Sequence, residues 1–347
     1  MRIAAMAAGA VGGYFGARMA AAGHDVFFIA RGAHRDAIQK NGLKIESVHG
    51  DLHLPKPNVT DDPAKVGPVD VVLFAVKLWD TETAAASARP LLGPDSRLIT
   101  FQNGVDSVER VSSVLGAERV VGGAAYIATT IALPGTIKHT SQFARIRFGR
   151  ADKKPDDKLN AFVEAGKAAK LDIDLSADIE SELWQKFIFL TAMAGSTAGL
   201  RSPIGPIAAD PELRGFFRAL MDEAFAVGKA RGVALDPAYL EERTAFVTTK
   251  IEPGMKASMA HDLERGNRLE LDWLAGKVRA FGRELGIPTP ASDTVYTVLK
   301  LHRMGSHLPH GRSPGAWPGL PVRNGRKGAN QTSRPGTSSP VRAAHRP

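Results

Sequence analysis

Residues 1–16 read MRIAAMAAGAVGGYFG, and the order of residue types in this stretch decides the fold. Arg2 to Met6 has the apolar character of a short buried strand. It runs into a turn of small residues, Ala7, Ala8, Gly9, Ala10, Val11 and Gly12, and then into a helix-forming segment. A dinucleotide-binding turn has the form G-x-G-x-x-G between a strand and a helix, and Ala7-x-Gly9-x-x-Gly12 follows it with one substitution. Gly9 would let the backbone approach a pyrophosphate, and Gly12 would let the helix lie close on the strand. The helix N-terminus adds unpaired N–H groups and a partial positive charge for the phosphates.

The next elements extend this start into a sheet. Asp25-Val-Phe-Phe-Ile-Ala30 reads as a second buried strand, and Arg31 and Gly32 follow it where NAD sites carry an acidic residue for the ribose hydroxyls. A guanidinium there suits a 2′-phosphate, which favours NADP(H). Gly42–Leu54 alternates like a hairpin around Gly50-Asp51. Val69–Val76 is an apolar run of the kind covered on both faces in a parallel sheet, and Lys77 ends it. A helical segment over Trp79–Leu92 leads to a strand at Arg97–Phe101, which ends in Gln102-Asn103-Gly104. Lys77 and Asn103 therefore fall just past the C-terminal ends of parallel strands, where open α/β sheets bind ligands.

Val120–Gly149 alternates like an antiparallel closing part, Pro155–Lys170 is an amphipathic helix and Leu171–Leu175 a last strand. From Ala177 the pattern is helical only, over Ile179–Gly199, Pro211–Arg231, Pro237–Lys250, Glu270–Leu285 and Ala291–Met304. The expected fold class is α/β, a doubly wound and mostly parallel sheet over residues 1–176, followed by an all-α domain over 177–304.

The 347-residue chain is 44% apolar and 23% charged, values of a soluble globular protein. It has no cysteine, which removes disulfides and thiolate chemistry and points to a reducing, cytoplasmic setting. Arg2 and the apolar run after it imitate a secretory leader, but glycines interrupt the run and a strand follows directly. No run of about 18 unbroken apolar residues offers a membrane span. The net charge of +9 suggests nucleic acid until it is located. Seven Arg and Lys and no acidic residue lie in 305–347, so the rest is nearly neutral and no nucleic-acid partner is expected. That basic tail also holds seven glycines and seven prolines, a composition expected to stay disordered. The apolar faces of the helical part allow a homodimer.

No His, Asp and Glu cluster has metal-ligand spacing and no G-x-S-x-G occurs, so neither a metal centre nor a serine hydrolase is expected. Glu180–Phe189, ESELWQKFIF, stands out instead. Lys186 falls on a helix among Leu183, Phe187, Phe189 and Leu190. An apolar surround disfavours the charged amine and moves its pKa towards that of a useful general acid. A surface lysine whose stem covers apolar neighbours gives the same pattern. In Gly254–Trp273, Ser258 could cap one helix and Glu270 could open the next, and helix-end electrostatics alone would account for both.

AAGAVGGYFG at 7–16, Arg31, AVKLWD at 75–80, QNG at 102–104, ELWQKF at 182–187 and SMAHDLERGNRLELD at 258–272 form an ordered set of blocks. By these blocks the chain resembles the ketopantoate reductases (2-dehydropantoate 2-reductases) over Met1–Met304. The resemblance implies a Rossmann domain followed by an all-α domain like the C-terminal one of 6-phosphogluconate dehydrogenase. It implies NADPH-dependent reduction of a small 2-oxo acid, 2-dehydropantoate to pantoate in pantothenate biosynthesis. Lys186 would then protonate or hydrogen-bond the carbonyl oxygen, and Asn103 would position Lys186 and the nicotinamide. Glu270 would orient substrate and hold the lysine, Ser258 would bind the substrate carboxylate, and Lys77 would lie at the cofactor edge.

Two departures matter. Ala7 replaces the usual first glycine. Leu190 and Ala194 stand four and eight residues beyond Lys186, where ketopantoate-specific members carry asparagines. A wall without those amides discriminates poorly in favour of a hydroxylated substrate. A reductase of a more apolar 2-oxo acid, and a catalytically weak NADP-binding sensor, are therefore expectations beside the first.

Overall fold

Alternate residues of the first strand, β1 (Arg2–Met6), serve two different cores. Ile3 and Ala5 pack with Tyr14, Phe15 and Phe28 on one face, and Ala4 and Met6 pack with Val72, Phe74 and Val111 on the other. A strand covered on both faces cannot alternate with polar residues, which is why its sequence is apolar throughout. The computed structural model describes residues 1–305. The basic tail expected to be disordered lies outside the described residues from position 306 onwards.

The other strands are β2 (Asp25–Ile29), β3 (Leu43–Ser47), β4 (Leu52–Leu54), β5 (Asn58–Thr60), β6 (Val69–Phe74), β7 (Leu92–Thr100), β8 (Val120–Leu133), β9 (Thr136–Gly149) and β10 (Asp172–Leu175). They form one sheet in the order β4-β3-β9-β8-β7-β6-β1-β2-β5, with β10 also beside β9. Only the pairs β3–β4 and β8–β9 are antiparallel. β1 lies between β2 and β6, so the chain winds one way through β2 and the other way through β6 and β7. That reversal leaves a crevice beyond the carboxyl ends of β1 and β6, the place where doubly wound sheets hold ligands.

The C-terminal part is helical and has its own core around the Ile179–Gly199 helix, including Trp184, Phe187, Ile188, Phe217, Leu220 and Val295. One of its buried carboxylates is structural. Glu223 accepts the backbone N–H groups of Ala291 and Ser292 and the Ser292 hydroxyl at 2.6–2.8 Å, satisfying the start of the Pro290–Leu299 helix.

The structure corrects several boundaries. The helix expected over Trp79–Leu92 is a helix only at Thr81–Ser87, with single 3₁₀ turns at Leu78–Asp80 and Arg89–Leu91. β7 starts at Leu92, where it pairs with Val69, and a register irregularity absorbs the Gly93-Pro94 step. The Gly32–Asn41 helix gave no periodic signal because Ile38 is its only buried residue. Ser258 is the first residue of the Ser258–Glu264 helix and not its cap; Ala257 holds that place in extended conformation, and no side chain caps the helix. Glu270 does not open a helix. It precedes the Ala275–Leu285 helix by a turn.

Candidate active site

The small-residue turn takes its shape from one close approach. A Cβ on Gly12 would lie 2.6 Å from the Ala7 carbonyl oxygen, so only glycine lets the Ala10–Ala21 helix start this near β1. Gly9 is the opposite case, since a Cβ there would meet nothing within 4 Å and would point into open space. Gly9 is the helix N-cap, and no side chain caps the helix, so its first N–H groups remain available to an anion. His34 fixes the turn from the side. Its Nδ1 accepts the Gly135 N–H at 3.0 Å, which puts the proton on Nε2, and Nε2 donates to the Ala8 carbonyl at 3.0 Å. Burial lowers the pKa of this ring and keeps it neutral.

From this turn a single cleft of about 1750 Å³ runs to the helical part. Sites for drug-sized ligands are about 300–1,000 Å³, so this one has room for a dinucleotide and a small second molecule. Ala7, Ala8, Gly9, Ala10, Val11, Arg31, Lys77, Asn103, Lys186, Leu190, Ser258 and Glu270 all line it. Gly12 lies behind the turn and acts through packing. Arg31 is exposed at the nucleotide end, beside the end of β2, and caps the Gly32–Asn41 helix with its backbone only.

At mid-cleft the two parts of the chain meet through polar groups. Lys77 Nζ donates to Asp262 Oδ2 at 3.2 Å, and Asn103 Nδ2 donates to Glu270 Oε2 at 3.4 Å. Asn103 is held by its neighbours. Gln102 is buried and donates to the Val76 carbonyl and the Thr81 hydroxyl, and Gly104 turns the chain with a φ of 98° that favours glycine.

Lys186 stands at the far end with its Nζ 5.8 Å from the centre of the Tyr126 ring. Burial pushes its pKa down to about 8, opposed by the charges of Glu270 first and Glu182 second. Neither carboxylate is paired with it directly. Glu270 bonds Asn103, and Glu182 accepts the Tyr126 hydroxyl proton at 3.2 Å. Burial and the Glu182 charge hold the Tyr126 phenol above its ordinary range, so it stays a neutral donor. The Lys186 ammonium is left with its N–H groups towards the cleft.

Ala194 is not part of the wall; it is buried in the helical core at 1% exposure. A helix turns about 100° per residue, so the seventh residue after Lys186 returns to within about 20° of its direction and the eighth is about 80° away. Met193 accordingly lines the cleft with Leu190 and Phe189. Sequence reasoning also passed over Tyr126, Tyr239 and Arg243, which tertiary packing alone brings to the site. Glu182 was within reach, as a carboxylate one helical turn before Lys186. Among the described residues, no group of three His, Asp or Glu could hold a metal ion, and no helix is long and apolar enough to cross a membrane.

Family models for ketopantoate reductase PanE/ApbA match residues 3–153, and for its C-terminal part residues 178–303. The chain belongs to the ketopantoate reductase family. Among curated ketopantoate reductase relatives, a 2-dehydropantoate 2-reductase of Mesorhizobium japonicum is 31% identical over 86% of this chain and 97% of that protein. An uncharacterized oxidoreductase of Bacillus subtilis, YkpB, is 32% identical over 87% of this chain and 99% of that one. The crystal structure of a PanE/ApbA family ketopantoate reductase from Ralstonia eutropha aligns with a TM-score of 0.80 at 32% identity, over 87% of this chain and 98% of the other. As a ketopantoate reductase family member the protein is an oxidoreductase acting on CH–OH groups, and reductases of this family use a nicotinamide cofactor.

Proposed function

We propose that this protein reduces a 2-oxo acid to a 2-hydroxy acid with NADPH. The observation that carries the reading is Lys186, a cation with a lowered pKa and free N–H groups, facing the same cleft as an uncapped small-residue turn. The residues fit the cofactor. Ala7 to Val11 offer a backbone cradle with open space at Gly9, and Arg31 offers a guanidinium for the 2′-phosphate. Bound NADPH would supply the hydride to the carbonyl carbon.

The side chains supply placement and charge. Lys186 donates a hydrogen bond, then a proton, to the carbonyl oxygen as negative charge builds on it, which favours the transition state over the ground state. Glu270, through its charge, sustains the protonated form of Lys186 and fixes the Asn103 amide. Ser258 offers its hydroxyl to the substrate carboxylate. Lys77, paired with Asp262, ties the cofactor edge to the helical part. Residues 1–176 act as the NADP-binding domain and 177–304 as the catalytic one. The family relation makes 2-dehydropantoate the first substrate to test, with a place in pantothenate biosynthesis in the cytoplasm.

A second reading has its own observation. Phe189, Leu190, Met193, Phe246 and Met255 line the substrate end, and none can bond a substrate hydroxyl. This wall favours a branched, more apolar 2-oxo acid. NADPH oxidation against a panel of 2-oxo acids, with Lys186→Ala beside the parent, tests both readings. Turnover lost in the variant supports the reductase. NADPH binding without reduction of any 2-oxo acid would leave the sensor expectation.

A further inference from the structure

Arg243 is a cation in the cleft that neither the fold nor the chemistry above employs. It lies on the Ala238–Thr249 helix, four residues after Tyr239 and three before Phe246, so the three side chains share a face. The Tyr239 hydroxyl donates to the Gln185 carbonyl, and the Phe246 ring meets Phe189 at 6.0 Å. That face is thereby docked on the helical turn that carries Lys186. The Arg243 guanidinium lies 5.1 Å from the Tyr239 ring centre and 5.7 Å from that of Phe246. Its charge also reaches Tyr126, the ring beneath the Lys186 amine.

Aromatic rings cover the faces of a guanidinium, but its N–H donors lie in its plane and need acceptors. Arg243 lines the cleft with no hydrogen-bond or ion-pair partner among the described residues. Its Nε, shut off from solvent, is unpaired as well, so the terminal N–H groups are the donors a ligand would meet. Other cations of the cleft are occupied. Arg145 and Arg147 face Asp172 and Asp174, Lys77 faces Asp262 and Lys256 faces Glu264. Arg31 is at the nucleotide end, Arg265 is exposed at the rim, and Lys186 is committed to the carbonyl oxygen. The Ser258 hydroxyl bonds a carboxylate and an ester carbonyl alike, so it cannot by itself select for charge.

We infer that Arg243 is a specificity-determining residue that pairs with a carboxylate of the substrate, so that the cleft selects 2-oxo acids over neutral carbonyl compounds of the same shape. The inference rests on the 2-oxo acid reductase reading and deepens it. A guanidinium flanked by two rings loses less freedom when its fork of donors meets a carboxylate.

The test compares kcat/KM for a branched 2-oxo acid and for its methyl ester, with NADPH, in the parent protein, Arg243→Lys and Arg243→Gln. The parent should prefer the acid. Arg243→Gln should cut the acid-to-ester ratio by about 10- to 100-fold, mainly through KM of the acid and with the KM of NADPH unchanged. Arg243→Lys should fall between the two. Should Arg243→Gln fail to fold, Arg243→Met keeps the stem on Tyr239 and Phe246 and gives the same readout. An unchanged ratio in a folded variant overturns the inference while leaving the reductase reading intact. A parent protein that reduces neither compound overturns both.

Discussion

The two ends of the cleft are built from different materials. At the nucleotide end the groups facing a ligand are backbone N–H groups on a turn of alanines and glycines, shaped by the 2.6 Å approach available at Gly12. At the substrate end they are side chains from three separate helical segments, gathered around Lys186 and Tyr126. Backbone recognition is set by a few consecutive residues and tolerates least change where the packing is closest, at Gly12. Side-chain recognition can be rewritten one position at a time, as Leu190 illustrates. Cofactor recognition common to a family can thus persist at one end while substrate choice drifts at the other.

The sharpest break in this comparison is Lys186→Ala. It should lower kcat by about 10²- to 10⁴-fold, the usual worth of a positioned general acid, while NADPH binding by fluorescence stays near that of the parent protein. A variant that lost both together would mean that the two ends are not separable. Next in size is Arg31→Ala. Loss of a charge-assisted contact of about 1.5–3 kcal/mol should weaken NADPH by about 10- to 100-fold and leave NADH nearly untouched. Equal weakening of both would remove Arg31 from the 2′-phosphate. The smallest change concerns the wall. Leu190→Asn should improve kcat/KM for a hydroxylated 2-oxo acid over its deoxy analogue by roughly ten-fold, within the range set by one pocket contact. An unaltered ratio would mean that position 190 does not meet the substrate side chain.

The same contrast explains what was legible in the sequence. The strand, turn and first helix are local, and so are the Arg31 and Gln102-Asn103-Gly104 positions at strand ends, because each is fixed by residues a few places away. Helix starts were harder to read. Ser258 and Glu270 are residue types that caps favour, yet Ala257 takes the cap and Glu270 lies a turn before its helix. The family resemblance put Ala194 on the Lys186 face, whereas the helical rotation brings Met193 to the wall and sends Ala194 into the core. Tyr126 and Arg243 carry no local mark at all. One comes from a long strand of alternating residues and the other from a helix of weak pattern, and only packing against Gln185 and Phe189 brings the second to the cleft.

The central claim is that Lys186 gives up the proton, and its pH dependence is the most direct test. Burial places its pKa at about 8, and Glu270 and Glu182 keep it from falling further. The protonated amine is the working form, so kcat for 2-oxo acid reduction should be level below about pH 8 and fall as the pH rises through it. Removing the Glu270 charge withdraws support from the cation, so the falling limb in Glu270→Gln should move to lower pH. Measured as NADPH oxidation from pH 6 to 10, a limb near pH 8 that shifts downward in Glu270→Gln agrees with this account. A flat profile across that range, or a limb that moves upward in the variant, contradicts it.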